Sequence, residues 1–182
     1  MNTSIKTIIK MLILVVTIQS CNQDLTLQTY YVDSELAPGF TSLDVPTSML
    51  KIDESTLTEA QKDAYESIDK LSLLAFVADD SNKAEMDTEI AKIKTILKDS
   101  KYEELMRGGN STDGKFVVKC IGGEGDNVDE FILFGNSNDN GFVVVRILGD
   151  DMNFNKIMEL ASVFDENSIE ETQFKDIAKF FK

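Results

Sequence analysis

The spacing of apolar positions changes several times along the chain, and each change marks an element. Residues 11–18 read "MLILVVTI", an unbroken apolar run that ends just before Cys21. Residues 22–37 are mostly polar around the pair Tyr30 and Tyr31, as expected of a tether that begins to dock near the tyrosines. Pro38-Gly39 is a turn, and residues 40–45 alternate as a strand does until Pro46 ends it. Thr47 or Ser48 can then cap a short helical turn through Met49, Leu50 and Ile52. Thr58 and Gln61 have capping-box spacing, which predicts a helix to about Lys70 with Leu57, Ala60, Ala64, Ile68 and Leu71 on one face. Residues 72–78, "SLLAFVA", are almost continuously apolar, as in a central strand covered on both sides. After a loop at 79–82, residues 83–98 carry Met86, Ile90, Ile93 and Leu97 on one helical stripe, with lysines and acids opposite.

The second half reads as β structure closed by helices. Residues 102–107 fit either a strand or the end of the preceding helix, while 115–121, 130–134 and 141–148 read as strands. Gly- and Asn-rich links at 108–114, 122–127 and 135–141 join them, and Asn140-Gly141 suits a type I′ hairpin turn. Residues 153–164 predict a helix capped by Asn153, with Phe154, Ile157, Leu160, Ala161 and Phe164 inward. A further helix is expected over 166–182, carrying Ile169, Phe174, Ile177 and Phe181. The expected fold is α+β: one mostly antiparallel sheet of about five strands, with two to three helices packed on one face and a C-terminal helix partly covering the other. The domain spans 38–164, with residues 165–182 as a C-terminal helical extension.

The opening segment bears on location. Lys6 and Lys10, with no acid among them, precede the apolar run, which is the layout of a secretory signal peptide. A run of only eight residues is too short to cross hydrocarbon, which takes about 20 apolar residues. Ile18-Gln19-Ser20-Cys21 resembles a bacterial lipobox. The resemblance implies cleavage of residues 1–20, a diacylglyceryl thioether on the Cys21 sulfur, and acylation of the new amino group. Residues 21–37 would then be the lipidated N-terminus and tether. Each buried methylene contributes roughly 0.8 kcal/mol, so two or three acyl chains hold a protein on a membrane durably. Asn22 stands where an Asp would retain some lipoproteins at the inner membrane, so the outer membrane is the expected site.

Charge and composition narrow the function. The chain carries a net charge of −14, and removal of Lys6 and Lys10 with the signal peptide takes it to −16. Such a chain repels phosphate backbones, so nucleic acid is excluded as a partner, and attachment to a membrane should be through lipid. There is no histidine, which removes the commonest general base and metal ligand and rules out serine–histidine and cysteine–histidine mechanisms. Once Cys21 is lipidated, Cys120 is the sole thiol and no intramolecular disulfide is possible. No tryptophan is present to stack against sugars. No cofactor is expected.

Candidate sites have plain structural explanations beside them. Residues 136–141, "NSNDNG", superficially resemble a calcium loop, but the twelfth position, where a bidentate Glu is needed, is Ile147. A hairpin is the expectation. Residues 122–126, "GGEGD", lack a lysine, carry Glu124 and Asp126, and precede a strand, so a turn is expected rather than a phosphate loop. The acidic pairs Glu103-Glu104, Asp79-Asp80, Asp150-Asp151 and Glu170-Glu171 could supply an acid/base couple only if two of them share a cleft. Cys120 alternates with Val118 and should be buried and inert. Asn110-Ser111-Thr112 matches a glycosylation sequon, whose machinery a bacterial lipobox argues against.

Cys21, the stretch "GFTSLDV" at 39–45, "YEELMR" at 102–107 and "FVVVRILG" at 142–149 together resemble the domain-of-unknown-function 4252 lipoproteins of Bacteroidota. The similarity covers roughly residues 30–162, with "YEELMR" its most specific part. It implies a small α+β domain on a lipid anchor and brings no catalytic residues. The expected function is a membrane-anchored envelope lipoprotein that binds a protein or another envelope component without catalysis. Two alternatives are a carboxylate-dependent hydrolase acting on envelope polymers and a signalling or stress-response component of the envelope.

Overall fold

A computed structural model of the chain describes residues 25–50, 52–122 and 127–163. Cys21, the apolar run before it, Phe164 and the helix expected over 166–182 lie outside the described residues. Six strands form one antiparallel sheet: β1 (Phe40–Pro46), β2 (Ile68–Val77), β3 (Glu103–Asn110), β4 (Gly114–Ile121), β5 (Asn127–Ser137) and β6 (Gly141–Asn153), in the order β1-β2-β6-β5-β4-β3. Four described helices accompany it: α1 (Leu27–Ser34), α2 (Glu59–Glu66), α3 (Lys83–Ile96) and α4 (Phe154–Ala161).

The adjacent interior strands β2 and β6 carry long apolar runs because side chains on both faces are covered there. Leu73, Leu74, Ala75 and Phe76 on β2, and Phe142, Val143 and Val144 on β6, are all buried. On one face, α1 and α3 pack over Leu74, Phe76, Ile132, Phe134, Phe142 and Val144. The Phe76 and Phe142 rings stack with centroids 5.6 Å apart, and Phe40 meets Phe76 edge-on at 5.0 Å. On the other face, α2 and α4 pack together over one end of the sheet, with Ala64, Ile157 and Leu160 against Cys120, Phe131 and Met152. Beyond them lies a smaller cluster of Leu73, Ala75 and Val143.

The sequence expectations hold in outline and need five corrections. The sheet has six strands rather than about five, because residues 103–110 pair with β4 as a strand of their own. The helices are not confined to one face: α1 and α3 lie on one side, α2 and α4 on the other. The stretch expected as tether contains α1, whose Leu27, Tyr30, Tyr31 and Ser34 are buried at helical spacing. Its capping box uses two threonines, the Thr26 hydroxyl accepting from the Thr29 N–H and the Thr29 hydroxyl from the Thr26 N–H. Helix α2 stops at Glu66 instead of running to about Lys70, since Ile68 and Lys70 pair with Gly149 and Leu148 of β6. The Thr58–Gln61 capping box and the Asn153 cap are both present. The β5–β6 turn occupies residues 138–140, and Asn140 does not adopt the positive φ of a type I′ turn; only Gly141 does, at +122°.

Candidate binding groove

The strongest candidate site lies where α3 ends short of the sheet edge. The α3 stripe Met86, Ile90, Ile93 and Leu97 turns inward, which directs Lys94 and Lys98 outward along the flank facing β4 and β3. In β4, strict alternation puts Lys115, Val117 and Lys119 on the α3 face and Phe116, Val118 and Cys120 on the other. Register with β3 then sets Arg107 opposite Val117 and Glu104 opposite Lys119. The β3–β4 turn is closed by Asn110, whose Oδ1 accepts from the backbone N–H groups of Thr112 and Asp113 at 2.7 and 2.8 Å. Gly109, at φ +97°, admits this tight return.

These elements enclose an open groove of about 570 Å³. Its walls carry Lys94, Lys98, Arg107, Lys115 and Lys119, and its floor includes Leu97, Val117 and Phe134. Five of the chain's 18 cations are gathered here against one of its 32 acids, Glu104, so the groove inverts the charge of the molecule. Glu104 is neutralised by a two-pronged pair with Arg107, whose hydrogen bonds hold its carboxyl below the usual range. Lys119 Nζ donates to the Tyr102 carbonyl at 2.9 Å. Lys94, Lys98 and Lys115 make no ion pair among the described residues. A second hollow of about 590 Å³ adjoins the groove at the hairpin tips and shares Lys115, Phe116 and Asn136 with it.

A separate polar cluster sits under α1. Arg146, only 6 % exposed, pairs through Nε and Nη2 with both oxygens of Glu130, at 2.5 and 3.1 Å. Its Nη1 donates to Gln28 Oε1 at 2.7 Å, and the guanidinium lies 5.2 Å from the Tyr31 ring centroid. Burial works against the charge on Arg146, but Glu130 outweighs it and the net shift is upward. Tyr31 donates to the Val144 carbonyl at 2.6 Å, and burial pushes its hydroxyl pKa up. Every polar group of Arg146 is engaged with the fold, which marks the cluster as the clasp that seats α1 on the sheet.

The residues singled out from sequence are scattered. Cys21 and Glu170-Glu171 lie outside the described residues, as do residues 123–126 of the glycine-rich turn. Cys120 is buried, and desolvation followed by the nearby Glu103 charge pushes its thiol pKa up. Glu103 and Glu104 are successive strand residues. Asp79 accepts from Ser81 and Asn82 in the loop before α3. Asp150 and Asp151 lie on β6 near its C-terminal end, Asp151 at φ +52°. The calcium-like stretch is a hairpin whose Asn138 donates to the carbonyls of Ser111 and Thr112, at 2.6 and 2.9 Å, and whose Asp139 pairs with Lys83. Among the described residues, no three Cys, Asp or Glu side chains are grouped to hold one metal ion. The groove itself was missed because its cations come from three elements; the alternation "KFVVK" at 115–119 was the available signal.

Neither the curated proteins nor the solved structures contain a match to this chain. The model of one family does match, over residues 31–160, from the last turns of α1 to α4. The chain belongs to that family, the domain of unknown function DUF4252.

Proposed function

We propose that the protein is an exported lipoprotein, anchored to the cell envelope through acyl chains on Cys21, whose domain binds an anionic partner without acting on it chemically. The observation that carries the binding role is the charge inversion: three lysines without carboxylate partners among the described residues face a groove with an apolar floor on a chain of net charge −14. Unpaired cations held on two rigid elements are preorganised for an anion, and an acidic surround keeps the molecule apart from its own copies. The N-terminal charge layout and the lipobox-like Ile18–Cys21 stretch support the anchor, and Asn22, in place of a retaining Asp, supports an outer-membrane location.

The test has two arms. Labelled palmitate should enter the wild-type chain and not Cys21→Ala, and loss of label from neither would overturn the anchor. From detergent-solubilised membranes, a partner retained by the wild type should be lost when Lys94, Lys98 and Lys115 are each replaced by Glu, and its capture should weaken as salt rises. Equal capture by the reversed-charge variant would remove the groove from the account.

A further inference from the structure

The two faces of the β3 edge differ in chemistry, and the difference specifies a partner. β3 is the last strand at its side of the sheet among the described residues, and all of its residues are exposed except the half-exposed Gly108. One side of its backbone therefore has no ladder partner there. On the α3 face, the edge presents Arg107 in its pair with Glu104, with Lys115 and Lys119 one strand further in. On the opposite face it presents Met106, 40 % exposed, beside Phe116, 38 % exposed, and Val118. The Phe116 ring lies out over Gly108: a Cβ there would sit 2.6 Å from two ring carbons. The aromatic surface thus reaches the rim of the sheet.

We propose that β3 accepts an extended segment of a partner protein as a seventh strand, its side chains alternating acidic and apolar. Strand addition satisfies the free backbone groups of β3, and the two-residue period sends alternate side chains of the guest to opposite faces. Acidic side chains meet the groove lysines beside the Arg107–Glu104 pair, while apolar ones cover Met106 and Phe116. The inference rests on the groove being a binding site and narrows its partner to a polypeptide. A second copy of this chain fits poorly, because its own β3 would bring Arg107 together with Glu104 to the groove face and offer the groove lysines no net negative charge. A lipid phosphate would use the cations and leave both the strand edge and the apolar face unused.

The experiment uses the full chain in detergent and three labelled nine-residue peptides: glutamate alternating with valine, lysine alternating with valine, and the glutamates and valines in two blocks. The alternating acidic peptide should bind at least about tenfold more tightly than either control and slow hydrogen exchange across residues 103–110. It should lose about tenfold affinity with Arg107→Ala plus Lys115→Ala, a change confined to exposed positions. Methylating alternate backbone nitrogens on the peptide's pairing edge should abolish binding. Equal binding of the block peptide, exchange at β3 unchanged on binding, a β3-mediated dimer that excludes the peptide, or displacement by phosphatidylglycerol vesicles would each overturn strand addition. Should the peptide fail while charge reversal at Lys94, Lys98 and Lys115 still releases the membrane partner, the groove remains the binding site and only the strand-addition inference falls.

Discussion

Replacing Glu130 by Ala strips the buried guanidinium of Arg146 of its counter-ion while leaving it 6 % exposed beneath α1. Two charge-assisted hydrogen bonds disappear, and Gln28 Oε1 with the Tyr31 ring cannot offset a full positive charge in their place. Breaking one partner of such a pair costs about 3–5 kcal/mol, a large share of a typical domain stability of roughly 5–15 kcal/mol. With a urea m-value of about 2 kcal/mol/M, the unfolding midpoint should fall by roughly 1.5–2.5 M. Replacing both members, Glu130→Leu with Arg146→Met, removes the stranded charge and should recover most of that loss. Circular dichroism and tyrosine fluorescence followed through a urea titration read all three chains. The reasoning fails if Glu130→Ala moves the midpoint by less than about 0.5 M, or if the double replacement is no more stable than the single one.

Other perturbations follow from the same geometry. Asn153→Ala removes the acceptor for the Asn155 and Lys156 amides at the start of α4 and should cost about 1 kcal/mol, lowering Tm by roughly 2–4 °C, whereas Asn153→Asp should leave it near wild type. Gly141→Ala would put a Cβ 1.9 Å from the Phe76 carbonyl oxygen at a φ of +122°, so a loss of more than about 2 kcal/mol is expected in the same titration. Burial raises the hydroxyl pKa of both Tyr30 and Tyr31, with the Glu89 hydrogen bond adding to the rise at Tyr30. A pKa raised on folding contributes stability that is whole below the unfolded tyrosine value of about 10 and is lost as pH climbs through and above it. Midpoints measured between pH 8 and 11.5 should therefore decline beyond pH 10, and Tyr31→Phe should flatten that decline.

Legibility from sequence tracked how much of an element's stability is local. The α2 and α4 caps and the α3 stripe were readable because Thr58, Gln61, Asn153 and the Met86–Leu97 spacing act within one or two turns. The buried runs of β2 and β6 were readable because central strands are apolar on both faces. What escaped was decided at long range. Glu103–Asn110 is exposed along nearly its whole length and declares itself a strand only through pairing with β4. Helix α1 hides behind a threonine–threonine cap and is held by Arg146, 118 residues away from its partner Gln28. The groove was invisible for the same reason, since Lys94, Arg107 and Lys115 converge only once α3 and the β3–β4 hairpin are placed.

The seating of α1 in the core would fix how far the domain stands from a membrane that holds Cys21. Leu27, Tyr30 and Tyr31 are buried in the main core, and Leu27, the first residue of α1, is six residues after Cys21. At no more than about 3.6 Å per residue, an acylated Cys21 lies within roughly 22 Å of the start of α1. On the proposed anchor, such a tether would hold the domain close to the bilayer and give the proposed binding edge a high effective concentration toward membrane-resident partners. Inserting 20 Gly and Ser residues between Gln23 and Asp24 adds a coil with an r.m.s. span of roughly 25 Å while leaving every described contact of α1 in place. The insertion should leave the urea midpoint unchanged and reduce groove-dependent capture of a membrane partner. A fall in the midpoint would mean that α1 is held by the anchor and not by Arg146, Tyr31 and the core. Unchanged capture would mean that the partner reaches the groove from solution.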